Sequence, residues 1–238
     1  MIPKIRKLLE QYKATSLKEL SKELEISSDV IKNISCGRTA YSSLLKGGRQ
    51  YRIFPKHSKS LAELIGVVLG DGNIFTYERC QRLTISCDGS YTAYVKRIKY
   101  LVRDVFKKEP SVIRRTKANC YDIYLYMQDI DKALNLKAGN KIKNKVEIPN
   151  WILAKKEFLI RCLKGLFETD GNFSKNKKFY VQFIEFENKC PELRLSVYKA
   201  MKDLGYNPQL GSRYVRLARR KEVFDFTKRI SYFKYRAQ

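Results

Sequence analysis

Two stretches of this chain repeat one pattern, and that repeat constrains the fold more than any other feature. LAELIGVVLGDGN at 61–73 and FLIRCLKGLFETDGN at 158–172 each carry an apolar helical run into Asp-Gly-Asn and then into strand-like sequence. Gly66 matches Gly165, Asp71 matches Asp170, Gly72 matches Gly171 and Asn73 matches Asn172, which sets the two acids 99 residues apart. The correspondence continues downstream. Strand-like RLTISC (82–87) answers KFYVQFIEF (178–186), a helix over 90–106 answers one over 191–204, and strands within 111–127 answer 209–218. A closing helix over 129–136 then answers one over 222–230. Each half reads helix, two strands, helix, two strands, helix, so the fold class is α+β, with duplicated αββαββα halves and pseudo-twofold symmetry. The expected division is a first half at 60–139, a linker at 140–156 that begins NKIKNKVEIPNW, and a second half at 157–238.

The repeated helix carries its own chemistry. Small residues four apart, Gly66 and Gly70 in one copy and Gly165 and Thr169 in the other, leave a groove that lets two such helices pack closely. Asp71 and Asp170 fall at the C-terminal ends, where the helix dipole is negative and a carboxylate is disfavoured by roughly 0.3–1 kcal/mol. The glycine that follows each is expected to close its helix in the left-handed conformation. Packing the helices side by side adds like-charge repulsion, which a divalent cation relieves. Carboxylate and carbonyl oxygens with water suit Mg²⁺ or Mn²⁺, and such ions activate water at a phosphodiester.

Charge supplies the partner. With 49 Lys and Arg against 24 Asp and Glu, the 238-residue chain carries +25 at neutral pH, and 44% hydrophobic residues exclude a disordered polycation. A polyanion such as nucleic acid is the expected partner. No apolar run reaches the roughly 18 residues of a membrane span and the start lacks a signal-peptide core, so a soluble cytoplasmic protein is expected, whether nucleoid-associated or organellar. Six cysteines without a C-x-x-C pair and a single histidine, His57, give no zinc pattern, and reduced thiols are expected.

Ahead of the repeat lies a region of different character. Residues 1–38 contain SLKELSKELEISSDVIKNIS, whose apolar positions from Leu17 to Ile34 read as two short helices around a tight turn. That is a helical hairpin or a helix-turn-helix with its reading helix over Ser28 to Ile34; Glu25 stands where the turn glycine is usual. Residues 39–59 read as a basic linker lying on phosphates, with His57 as a phosphate contact.

LIGVVLGDG (64–72) and LKGLFETDG (163–171) resemble the two signature motifs of a single-chain LAGLIDADG homing endonuclease, and the resemblance covers residues 60–238. It implies two saddle-shaped antiparallel sheets that grip a long asymmetric double-stranded DNA site and a metal-dependent double-strand cut, by a monomer encoded in an intron or as a free-standing mobile element. It further implies Asp71 and Asp170 as metal ligands, completed by carbonyls of Gly70 and Thr169, and a basic residue flanking each half of the site. Aligning the closing helices lays Lys141 on Lys234 and Lys143 on Arg236, with Lys145 a further candidate. Where many members carry an acid, the first motif has Leu69; the second has Glu168. A transcriptional regulator that keeps the fold without cutting, and a maturase acting on intron RNA, are the alternatives.

Strand alternation then assigns the DNA-reading face. In the first half Arg82, Thr84 and Ser86 alternate with Leu83, Ile85 and Cys87, and Arg114, Thr116 and Tyr124 are candidates in the next hairpin. In the second half Lys178, Tyr180 and Gln182 alternate with Phe179, Val181 and Phe183, and Arg213 and Arg216 flank a short apolar stretch. Arg and Gln suit base edges, and Lys suits phosphate. The aromatic residues are expected in the core.

Overall fold

The computed structural model describes residues 44–46, 49–51, 55–176 and 181–232. The helix-turn-helix segment, Lys178, Tyr180, Lys234 and Arg236 lie outside the described residues. Within the stretch read as a linker, Leu44–Lys46 (β1) pairs antiparallel with Arg49–Tyr51 (β2), an element that no periodicity in the sequence announces.

Ser58 starts the first long helix, α1 (Lys59–Gly70). Its Oγ accepts from the Leu61 N–H at 3.1 Å, which satisfies one of the donors a helix start leaves open. Every residue from Leu61 to Leu69 is buried, so α1 is a central helix with no wet face. It runs into β3 (Gly72–Thr76), which is followed by β4 (Gln81–Asp88), α2 (Thr92–Phe106), β5 (Ser111–Arg114), β6 (Cys120–Met127) and the short α3 (Ile130–Leu134). The strands form an antiparallel sheet of order β3-β4-β6-β5. Leu83, Ile85 and Cys87 of β4 turn to the helices; Arg82, Thr84 and Ser86 turn to the open side. In α2 the buried residues Tyr94, Val95, Ile98, Val102, Val105 and Phe106 keep a helical spacing and face the sheet.

The second half repeats the path. After α4 (Asn150–Leu153) come α5 (Lys156–Asp170), β7 (Gly171–Asn176), β8 (Val181–Glu187), α6 (Pro191–Asp203), β9 (Gln209–Leu210), β10 (Tyr214–Leu217) and α7 (Arg220–Arg229), with sheet order β7-β8-β10-β9. Pro191 sits at the helix start, where its missing N–H costs nothing. The two lobes meet along α1 and α5. Among the described residues no helix is long and apolar enough to cross a membrane, and Cys80, Cys87, Cys120, Cys162 and Cys190 are free thiols.

The register of the second sheet departs from expectation. Ile184 and Phe186 are buried, so the even positions of β8 face the helices and Gln182 shares their side. Phe183, Glu185 and Glu187 take the open side, opposite Tyr214 and Arg216 of β10. The sequence VQFIEF puts Phe183 and Ile184 in succession, and an alternation counted from Phe179 to Phe183 takes the wrong one of the two as core.

Candidate functional site

At the lobe interface α1 and α5 approach to backbone contact. A Cβ on Gly66 would fall onto the Cys162 carbonyl oxygen, one on Gly165 onto the Glu63 carbonyl, and one on Gly70 onto the Thr169 hydroxyl. The glycines and Thr169 therefore lie along one seam. Thr169 turns its own hydroxyl inward to the Leu166 and Gly165 carbonyls, at 2.8 and 3.1 Å.

Below the seam lies a buried ionic cluster. Arg97 of α2 reaches Glu63 of α1 and Glu168 of α5, tying the first lobe to the second. Arg161 meets Glu63 at 2.6 Å, and Lys164 meets Glu168 at 3.5 Å and the Ser231 carbonyl at 3.0 Å. Glu63 and Glu168 are each 1% exposed, and basic side chains face both carboxylates. Glu168 is therefore a member of this cluster.

Both helices end at an open cleft of about 720 Å³, lined by Gly70, Asn73, Lys141, Thr169, Asp170, Asn188 and Arg213 among others. Asp71 is the cap of α1, its N–H donating to the Val67 carbonyl at 3.0 Å, and its side chain is exposed. Asp170 is the last residue of α5; its Oδ2 accepts from Asn188 Nδ2 at 2.6 Å. Lys141, carried by the linker, donates to the carbonyls of Leu69, at 2.9 Å, and Gly70. Burial pushes its ammonium below the usual lysine range, against the pull of both Asp170 and Asp71. The buried Tyr94 hydroxyl, raised chiefly by burial, also senses both carboxylates. Asp170 lines the cleft, Asp71 stands between the lining residues Gly70 and Gly72, and both carboxylates act on the Lys141 ammonium.

Gly72 and Gly171 do not close their helices in the left-handed conformation. Among the described glycines only Gly139 and Gly205 have positive φ. Gly72 and Gly171 instead begin strands, and a Cβ there would strike Val68 and the Phe167 carbonyl, so the missing side chain permits the sharp exit from helix to sheet.

The remaining candidates scatter. Lys143 and Lys145 are exposed in the linker turn, outside the cleft lining, while Lys141 and Arg213 line it. Arg114 pairs with Tyr121 at the sheet edge and so has the parity opposite to Tyr124; Thr116 lies in the turn beyond. Arg216 lies on the open side, bonded to Glu185 at 2.7 and 2.9 Å. His57 stacks on Trp151 with ring centroids 4.0 Å apart. Sequence reasoning did not single out Asn188, Lys189 or Arg115. The first two follow β8 where Gly89 and Ser90 follow β4, a position that the repeat alignment reaches.

Hard oxygen donors at two helix C-termini suit a small divalent cation. Among the described residues no group of three or more His, Cys, Asp and Glu side chains gathers as a metal site, so carbonyls, water and a phosphate would complete a shell built on the two acids.

Residues 157–231 match the LAGLIDADG-like domain family. No curated protein matches the chain in sequence. Among solved structures, the N-terminal LAGLIDADG domain of DUF199/WhiA aligns at TM-score 0.53 with 17% identity, over 78% of this chain and 89% of that one. Full-length DUF199/WhiA from Thermatoga maritima aligns at TM-score 0.53 with 18% identity, over 76% and 58% respectively. I-DmoI, a homing endonuclease, aligns in its complex with DNA and Mn at TM-score 0.51 with 16% identity, over 72% of this chain and 96% of that one. At these identities the likeness is one of fold.

Proposed function

The chain carries a LAGLIDADG-like domain within the two-lobed LAGLIDADG fold, and from that premise we propose that it is a homing-type endonuclease that hydrolyses double-stranded DNA at a long asymmetric site. The observation that carries this reading is the placement of Asp170 in the cleft and of Asp71 between its lining residues Gly70 and Gly72, with both carboxylates acting on the Lys141 ammonium. Asp71 and Asp170 would hold Mg²⁺ or Mn²⁺, which supplies a water of lowered pKa and a polarised phosphate oxygen. The similar I-DmoI has been solved with DNA and Mn, which supports this choice. Asn188 holds the Asp170 carboxylate in one orientation. Lys141 places an ammonium at the cleft floor, within reach of charge that develops on the phosphate, and Lys189 and Arg213 hold the strand at the rim. The open faces of the two sheets carry the duplex, with residues 1–38 and the linker at 39–59 adding affinity.

A DNA-binding regulator on the same fold is the second reading. The bonds of Lys141 to the Leu69 and Gly70 carbonyls favour it, because they already neutralise the end of α1 without a metal.

One experiment separates the two: incubation of a randomised duplex library with Mg²⁺, with EDTA and Asp170→Ala as controls. Metal-dependent double-strand breaks at one motif, lost in Asp71→Ala and Asp170→Ala while binding persists, support the endonuclease. Retention of a motif without breaks, with or without metal, supports the regulator. Cutting by both variants at the wild-type rate would sink the site assignment.

A further inference from the structure

The open face of the first sheet carries more than polar side chains. Phe75, Tyr77 and Tyr126 are 49%, 39% and 43% exposed, and with Tyr124 they form a continuous patch across β3, β4 and β6. Neighbouring ring centroids lie 4.8 Å (Phe75 to Tyr77), 6.2 Å (Tyr77 to Tyr126) and 5.9 Å (Tyr124 to Tyr126) apart. Arg82 sits among them, its guanidinium 5.6 Å from the Tyr77 ring and hydrogen-bonded to Tyr126. Lys108 joins the rim, donating to the Tyr126 carbonyl at 2.6 Å, and exposed Arg79 lies in the same turn as Glu78. The matching face of the second lobe is different. There Phe183 and Tyr214 are both covered by the Arg216 guanidinium, 4.4 Å from each ring.

Bare rings beside guanidinium groups are a surface for flat, anionic partners. A paired duplex offers edges and phosphates to a protein, because its base faces are already stacked; only an unpaired base offers a face. We propose that this patch is a stacking platform for unpaired nucleobases, with Arg82 and the basic rim meeting the adjoining phosphates. The ligand class is a single-stranded stretch of nucleic acid. The platform lies at the end of β3 away from Asp71, on the face that the duplex uses under the proposed function, and comparing base-bearing with abasic strands lets the two readings fail separately.

The test uses the full chain and fluorescence anisotropy with oligothymidylate, oligouridylate and an abasic oligonucleotide of equal length, with a paired duplex alongside. Wild type should bind the base-bearing strands about 10-fold or more tighter than the abasic strand. Phe75→Ala with Tyr126→Ala should weaken oligothymidylate or oligouridylate binding by about 10- to 100-fold while changing the abasic strand by less than about 3-fold. Phe75→Tyr with Tyr126→Phe should restore the affinity. A fluorescent adenine analogue in the strand should be quenched on binding to wild type, a readout that needs no variant. Preference for thymidylate or uridylate identifies DNA or RNA as the source of the bases. Equal affinity for abasic and base-bearing strands, or equal weakening of both by the alanine pair, would overturn the platform.

Discussion

In the first lobe Asp71 ends α1 as an exposed cap, and the connection from β4 to α2 begins with Gly89. In the second lobe Asp170 is still inside α5, and Asn188, which stands as far beyond Gly89 as Asp170 stands beyond Asp71, grips its carboxylate. A Cβ at Gly89 would meet the Asn119 side chain, which belongs to the neighbouring hairpin. Lys141 breaks the symmetry again, because it binds the carbonyl end of α1. Duplication has thus kept the backbone and the acids, while the groups that hold each acid come from connections that diverged. The two halves of the cleft are chemically unequal.

The seam is where the lobes remain alike, and breaking it should have the largest effect. Gly66→Ala and Gly165→Ala each drive a methyl into the partner's backbone, which cannot rotate away. Each should cost about 3 kcal/mol, the upper end of overpacking, in denaturant unfolding. A harmless alanine at either position would mean that the helices do not pack at this distance. Arg97→Met should cost a similar amount, about 3 kcal/mol, because it leaves two buried carboxylates short of a cation. The corresponding residue of α6, Ser196, only accepts from the Ile148 N–H at 3.2 Å, so Ser196→Ala should cost about 1 kcal/mol. Equal costs for these two would refute the asymmetry of the interface.

The repeat made the fold legible. Asp-Gly-Asn twice, each followed by two strands and a helix, fixed the order of elements because side-chain period and chain order are properties of sequence. Alternation in RLTISC gave the open face of β4, since every apolar residue there is inward. VQFIEF did not yield to the same count, because Phe183 is apolar yet lies outward beneath Arg216. Gly72 and Gly171 were legible as necessary but not for the right reason: a glycine after a helix looks the same whether it turns left-handed or merely makes room for Val68 and Phe167. Arg97 was invisible, as its partners lie on two other helices. Glu168 was visible only as a motif acid, and its burial beside Arg97 is a fact of packing.

Asn188→Ala sharpens the inequality of the two half-sites at a smaller scale. Losing a hydrogen bond to a carboxylate is worth about 1.5 kcal/mol, which is about tenfold in rate. On the endonuclease reading, cutting of the strand served by Asp170 should slow by that factor and nicked duplex should accumulate, with the other strand cut as before. Equal slowing of both strands would mean that the halves act as one unit.

The smallest effect should come from the open faces, where each lobe holds an arginine with a carboxylate. Arg115 bonds Asp122 through Nε and NH2, at 2.7 and 2.8 Å, and this hydrogen bond holds the Asp122 carboxyl below the usual range. Arg216 bonds Glu185 in the same way but is also packed against Phe183 and Tyr214. Asp122→Asn should therefore release Arg115 to a phosphate, tighten DNA a few-fold and steepen the salt dependence by about one phosphate contact. Glu185→Gln should gain less, because the rings still hold Arg216. Acid should act in the direction of Asp122→Asn. Ionised Asp122 contributes stability above the unfolded carboxylate value of about 3.9, and that contribution is lost as pH falls through its lower folded value. Salt titrations of DNA binding for both variants decide the matter: a larger gain from Glu185→Gln would mean that stacking does not restrain Arg216.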